Sequence, residues 1–100
     1  MNIKTPPSIA IIGSGRVANA IGVLFQSKGI QIECVYSRNK DTGNVLSVKL
    51  ECPFATEIET AVADIVLVCV SDDAIHDVIN KIPAHQKVLY TAGSVELDSL

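Results

Sequence analysis

The residues in this 100-residue sequence whose types and spacing point to chemistry are Gly13-Ser14-Gly15-Arg16-Val17-Ala18. Two glycines one residue apart, with a small residue three positions on, let a chain turn sharply and bring bare backbone close to a ligand. If a helix starts there, its first N–H groups lack intrahelical acceptors and face outward, backed by the positive end of the helix dipole. Such a terminus attracts phosphate, and a row of amides suits a diphosphate. The string itself is weak, so its meaning depends on its flanks: a buried strand before it and an amphipathic helix after it.

Both flanks qualify. Residues 8–12, Ser-Ile-Ala-Ile-Ile, follow Pro6-Pro7 and are closed by Gly13, as expected of a central strand covered on both faces. Residues 16–28 have helical spacing, with Val17, Ile21, Leu24 and Phe25 as an apolar stripe and Ala18 and Gly22 as small neighbours. Lys28 adds a favourable charge in the last turn, and Gly29 suits the terminator. Gly13 then makes the turn, Gly15 admits the pyrophosphate, and Ala18 lets the helix pack on the sheet. The expected contacts here are Gly13, Ser14, Gly15, Arg16 and Val17.

Residues 30–37 alternate Ile, Ile, Cys, Tyr against Gln, Glu, Val, Ser, which predicts a strand more exposed on one face than the first. Its end decides the dinucleotide, because NAD-type sites place an acid there for the ribose hydroxyls. This one ends Val35-Tyr36-Ser37-Arg38-Asn39, without an acid. Glu33 is ~13 Å upstream of Ser37 at ~3.3 Å per residue, too far to serve. Ser37 and Arg38 instead offer a hydroxyl and a guanidinium where a 2′-phosphate would sit. With Asn39 beside them, NADP is the expected cofactor and NAD the alternative.

The alternation continues. Residues 39–51 read as a weaker helix capped by Asp41 or Thr42 with Gly43 against it, and residues 52–55 as a short strand. Thr56 and Glu59 resemble a capping box at a helix start. Residues 65–70 are a second buried strand. Residues 72–82 form a helix capped by Ser71, with Asp72 and Asp73 in its first turn, and Ala74, Ile75, Val78, Ile79 and Ile82 facing inward. Pro83 ends it, and residues 87–91 form the last strand. The predicted fold is α/β: a doubly wound, Rossmann-like parallel sheet of about five strands with right-handed crossovers. Residues 95–100 read as the start of another helix. Residues 1–100 are therefore expected to be one nucleotide-binding domain, a fragment of a longer protein.

Composition narrows the function. With 48% hydrophobic and 19% charged residues the chain can build a core. A net charge of −3 argues against nucleic acid as a partner. The apolar run 65–70 is too short to span a membrane, and no signal peptide opens the chain, so a cytoplasmic location is expected. Cys34, Cys52 and Cys69 suit core packing in a reducing compartment rather than metal binding. His76 and His85 read as surface residues, and no metal site is expected.

Three segments together carry a resemblance: Ile11-Ile12-Gly13-Ser14-Gly15-Arg16-Val17-Ala18, Tyr36-Ser37-Arg38-Asn39, and Val68-Cys69-Val70-Ser71-Asp72-Asp73-Ala74-Ile75. With these the chain resembles the N-terminal Rossmann-like domain of the pyrroline-5-carboxylate reductase and 6-phosphogluconate dehydrogenase-like superfamily. Within it, the chain is similar to the DUF2520-type branch, whose C-terminal half is helical. Tyr90-Thr91-Ala92-Gly93-Ser94 resembles that branch's turn after the fifth strand, usually His-x-Ser-Gly-like, although Tyr90 and Ala92 depart from it. The resemblance implies that Val70, Ser71 and Asp72 run beside the adenosine ribose or the nicotinamide end, and that Gly93 lies near the nicotinamide. It further implies an NADP-dependent oxidoreductase whose substrate, an unknown small molecule, is held largely by the C-terminal domain, often across a dimer. The catalytic residues then lie outside this chain. A non-catalytic dinucleotide-binding or redox-sensing module is the alternative, since fold does not fix function. An open sheet edge would also permit a homodimer.

Overall fold

Ile9–Ile12 form β1, and all four residues are buried because helices cover both faces of this strand. The computed structural model describes residues 7–70, 72–83 and 86–90, and for residues 72–76 and Tyr90 only the backbone element. After β1 come α1 (Arg16–Ser27), β2 (Ile32–Tyr36), α2 (Lys40–Lys49), β3 (Phe54–Ala55), a 3-10 turn (Ile58–Thr60), β4 (Ile65–Val68), α3 (Asp72–Lys81) and β5 (Lys87–Tyr90). Every strand pair is parallel, and the sheet order is β3-β2-β1-β4-β5. The chain winds outward from β1 in one direction and then in the other. That places a switch point between β1 and β4, the position where doubly wound sheets open a crevice.

Alternation along β1 separates two cores. Ile9 and Ile11 pack with Ala18 of α1 and with Leu46 and Leu50, while Ala10 and Ile12 pack with Ile58, Ala61, Val78 and Ile82. Full burial of a side chain such as Ile11 contributes roughly 1.5–3 kcal/mol. The small surface expected of α1 is required by the packing. A Cβ on Gly22 would meet Leu50 Cδ1 at 2.8 Å and Ile11 Cδ1 at 3.2 Å.

Several local expectations are corrected. In β2, Ile9 pairs with Ile32 but Ala10 pairs with Cys34, so Glu33 is an extra residue in the strand. The shift puts Ile32 and Val35 in one core and Cys34 and Tyr36 in the other. Val35 is thus fully buried rather than on an exposed face. On α1, Leu24 is 49% exposed, off the buried stripe. Lys28 is the C-cap, one residue beyond the last turn. Gly29 does terminate the helix, with φ +81°: its N–H reaches the Gln26 carbonyl and the Ile30 N–H reaches that of Phe25, both at 3.0 Å. The cap of α2 is Asn39, whose side chain accepts from the Thr42 N–H at 3.1 Å, and neither Asp41 nor Thr42 serves. Thr56 caps nothing, since the 3-10 turn starts after Glu57 without a side-chain cap. On α3, Val78 and Ile82 are buried as expected, but Ile79 is 39% exposed.

At the edge strand β5, Leu89 is 54% exposed although it pairs with the buried Leu67. No helix among the described residues is long and apolar enough to cross a membrane. The expectations for Ser71, His85, Gly93 and the helix start at 95–100 lie outside the described residues.

Candidate dinucleotide site

The end of β1 is held between its two neighbours. The Gly13 N–H donates to the Tyr36 carbonyl at 2.7 Å, and the Cys69 N–H donates to the Ile12 carbonyl at 2.8 Å. The chain must then leave the sheet at once, which it does at Gly13 with φ +124°. A side chain is excluded there twice over: that φ is foreign to L residues, and a Cβ would fall on the Cys69 carbonyl oxygen. Gly15 differs. Its φ of −82° is ordinary, and apart from its own chain neighbours no atom lies within 4 Å of where its Cβ would be. It is the N-cap of α1 and brings no side chain to the helix's first N–H groups. Those donors, together with the dipole, therefore face open space.

The carboxyl ends of β1, β2 and β4 surround a cleft of about 290 Å³. Its described lining comprises Ile12, Gly13, Ser14 and Gly15 from the first loop, Tyr36, Ser37, Arg38 and Asn39 from the second, and Cys69, Val70 and Val78 from the third side. Seven of the expected contacts thus converge: Gly13, Ser14, Gly15, Ser37, Arg38, Asn39 and Val70. Arg38 and Asn39 are exposed, whereas Ser37 is buried. Arg16 instead lines an adjoining open groove with Ser14, Gly15, Asn19, Ala20, Val23 and Lys49. Val17 packs against the core and leaves only its backbone to a ligand. Asp72 opens α3, while Ser71 and Gly93 lie outside the described residues.

Three side chains that the motif did not single out hold this loop in shape. Asn19 Nδ2 donates to the Ser14 and Gly15 carbonyls at 3.1 and 3.0 Å, and Lys49 Nζ donates to Asn19 Oδ1 at 3.0 Å. Thr42 Oγ1 lies 2.6 Å from Ser14 Oγ, which lies 2.7 Å from Ser37 Oγ. The only sequence signal for Asn19 is an amide side chain four residues after Gly15, on the turn above it. For Thr42 there is none beyond its place near a helix start.

Glu33 lines a different hollow, at the opposite end of the strands, with Ser8, Asp64, Gln86 and Lys87. It therefore lies away from the cleft at the glycine turn. Cys34 and Cys52 offer little reactivity. Burial, with Glu33 second, pushes the Cys34 thiol up, and burial, with Cys34 second, pushes Cys52 up to about 11. Among the described residues no three His, Cys, Asp or Glu side chains gather as a metal site.

A parallel sheet of order 3-2-1-4-5, with a glycine turn and a bare helix terminus at its switch point, defines the dinucleotide-binding type of Rossmann fold. Residues 8–91 match the family described as NADP oxidoreductase, coenzyme F420-dependent, and the chain belongs to that family. Among solved structures it is similar to a Bacteroides fragilis protein provisionally described as an NADP oxidoreductase, with 25% identity and a TM-score of 0.79 over 94% of this chain and 39% of that one. It shares its fold with a reductive aminase from Aspergillus terreus solved with NADPH and ethyl-5-oxohexanoate: 22% identity, TM-score 0.72, 88% of this chain and 32% of that one. The same holds for a variant imine reductase from Myxococcus stipitatus solved with NAD+, at 24% identity and TM-score 0.72 over 88% of this chain and 32% of that one. The chain thus spans only 32–39% of the length of these structures. No curated protein sequence matches it.

Proposed function

We propose that residues 1–100 act as the NADP-holding domain of an oxidoreductase. The observation that carries this is the bare N-terminus of α1, with Gly15 open to solvent, facing a cleft shared with Ser37 and Arg38. The residues present suit a dinucleotide. The first N–H groups of α1 and the unobstructed Gly15 would hold its pyrophosphate. Arg38, at the end of a strand without an acid, would pair with the 2′-phosphate that distinguishes NADP from NAD. The bound nicotinamide supplies the two-electron redox chemistry. This chain's part is to fix the dinucleotide at one end of the sheet. Val70 and Cys69 border the cleft on the β4 side and help exclude water there.

The small-molecule substrate and its catalytic groups belong, in this reading, to a further helical domain of the kind found in the DUF2520-type branch, acting in the cytoplasm. The solved relatives that carry NADPH support the choice of cofactor. The uncovered Leu89 on edge strand β5 supports a contact with another domain or copy. Titration with NADPH and NADH, followed by nicotinamide fluorescence, tests the cofactor. NADPH binds more tightly, and Arg38→Ala removes roughly 1.5–3 kcal/mol of that binding, about 10- to 150-fold in Kd, while leaving NADH nearly unchanged. Equal loss for both cofactors would assign Arg38 no role in selecting the 2′-phosphate.

A further inference from the structure

A run of hydroxyl groups joins the two loops of the cleft. Ser14 Oγ touches both Ser37 Oγ and Thr42 Oγ1, at 2.7 and 2.6 Å. The run ends on the backbone of one residue. The Asn39 N–H donates to Ser37 Oγ at 3.2 Å, and Thr42 Oγ1 donates to the Asn39 carbonyl at 3.3 Å. Those ends fix the direction of every proton. An amide N–H only donates, a carbonyl only accepts, and each hydroxyl has a single proton. With all four contacts formed, Ser37 donates to Ser14 and Ser14 donates to Thr42. The circuit has no proton left over, so it presents only lone pairs to a ligand.

A ribose 2′-hydroxyl can donate to such a surface without disturbing it. A 2′-phosphate only accepts and carries charge, so any hydroxyl of the run that meets it must turn its proton toward it. One link releases cheaply. The Thr42–Asn39 contact is the longest of the four, and the Asn39 carbonyl keeps the Gly43 N–H at 2.9 Å when Thr42 leaves. Turning Ser14 or Ser37 outward would break a contact of 2.6–2.7 Å instead. Thr42 also lies in the first turn of α2, where the dipole favours an anion, near the exposed Arg38 and Lys40 and the opposing Asp41.

We infer that Thr42 is a specificity residue: its hydroxyl swings off the Asn39 carbonyl and donates to the 2′-phosphate of a phosphorylated dinucleotide, alongside Arg38. This rests on reading the cleft as a dinucleotide site. The test titrates the wild-type chain, Thr42→Val, Thr42→Ala and Thr42→Ser with NADPH and with NADH. Valine and alanine raise the Kd for NADPH about tenfold and that for NADH less than twofold, and serine restores both. Equal weakening of both cofactors by valine and alanine would overturn the proposal, because the hydroxyl would then only brace the loops. No change in either Kd would overturn it too. A wild-type chain that binds neither cofactor would overturn the dinucleotide reading itself. A wild-type chain that binds, with a preference untouched at Thr42, overturns the role of Thr42 alone.

Discussion

Gly13 and Gly15 look equivalent in the motif, yet alanine at the two positions has opposite consequences. At Gly13, φ +124° costs an L residue on the order of 1–3 kcal/mol. The new Cβ would also meet the Cys69 carbonyl oxygen, which cannot retreat freely because the Cys69 N–H is tied to β1 at 2.8 Å. Overpacking of this kind adds about 1–3 kcal/mol. The sum, about 2–6 kcal/mol, is a large share of the 5–15 kcal/mol typical of whole domains. At Gly15 the backbone is ordinary and the space is empty. Alanine gains about 0.4–1 kcal/mol by restricting the unfolded chain, and loses a similar amount as a poorer N-cap. Urea unfolding followed by far-UV circular dichroism reads both: Gly13→Ala loses 2 kcal/mol or more, and Gly15→Ala stays within about 1 kcal/mol of wild type. Gly15→Ala nevertheless weakens NADPH at least tenfold, since its methyl occupies the pyrophosphate's approach. The reasoning is refuted if Gly13→Ala is as stable as wild type, or if Gly15→Ala is stable and binds NADPH unchanged.

Three further outcomes follow from the packing and the thiols. Leu46→Ala empties a fully buried position between α2 and the sheet and should cost about 2–5 kcal/mol in the same unfolding experiment. Asn39→Ala should cost about 1 kcal/mol as the lost cap of α2, whereas Asp41→Ala, which caps nothing, should cost less than half of that. Cys52 should resist alkylation at pH 8 and react only as pH nears 11. Because the folded thiol titrates above the unfolded one, this stabilising contribution is full below pH 9 and fades between pH 9 and about 11, a decline that Cys52→Ser should reduce.

Much of the fold was legible because apolar runs and breakers mark it directly. Ile9–Ile12 and Ile65–Val68 are continuous apolar segments closed by turns, and such segments belong in the middle of a parallel sheet. The Gly13 turn and the Gly29 terminator were also legible, since few residues other than glycine tolerate those dihedrals. The register shift at Glu33 was not. A strict period of two assigns Val35 to the Glu33 face, and only pairing with β1 reveals the extra residue. Asn39 does not stand out as a cap, because several small polar residues crowd that helix start and local preference barely separates them. In the site, the residues that meet a ligand through backbone or charge were legible. Those that meet each other were not: the contacts of Asn19 with the glycine loop and of Thr42 with Ser14 join separate segments, which no local pattern encodes.

Amide NMR of the isotope-labelled chain during an NADPH titration tests the central claim most directly. The largest shifts are expected at residues 13–17 and 37–39, while Ser8, Glu33 and Asp64 at the other end of the strands stay in place. A well-dispersed spectrum that NADPH leaves unchanged, or shifts centred on that other end, would contradict the account.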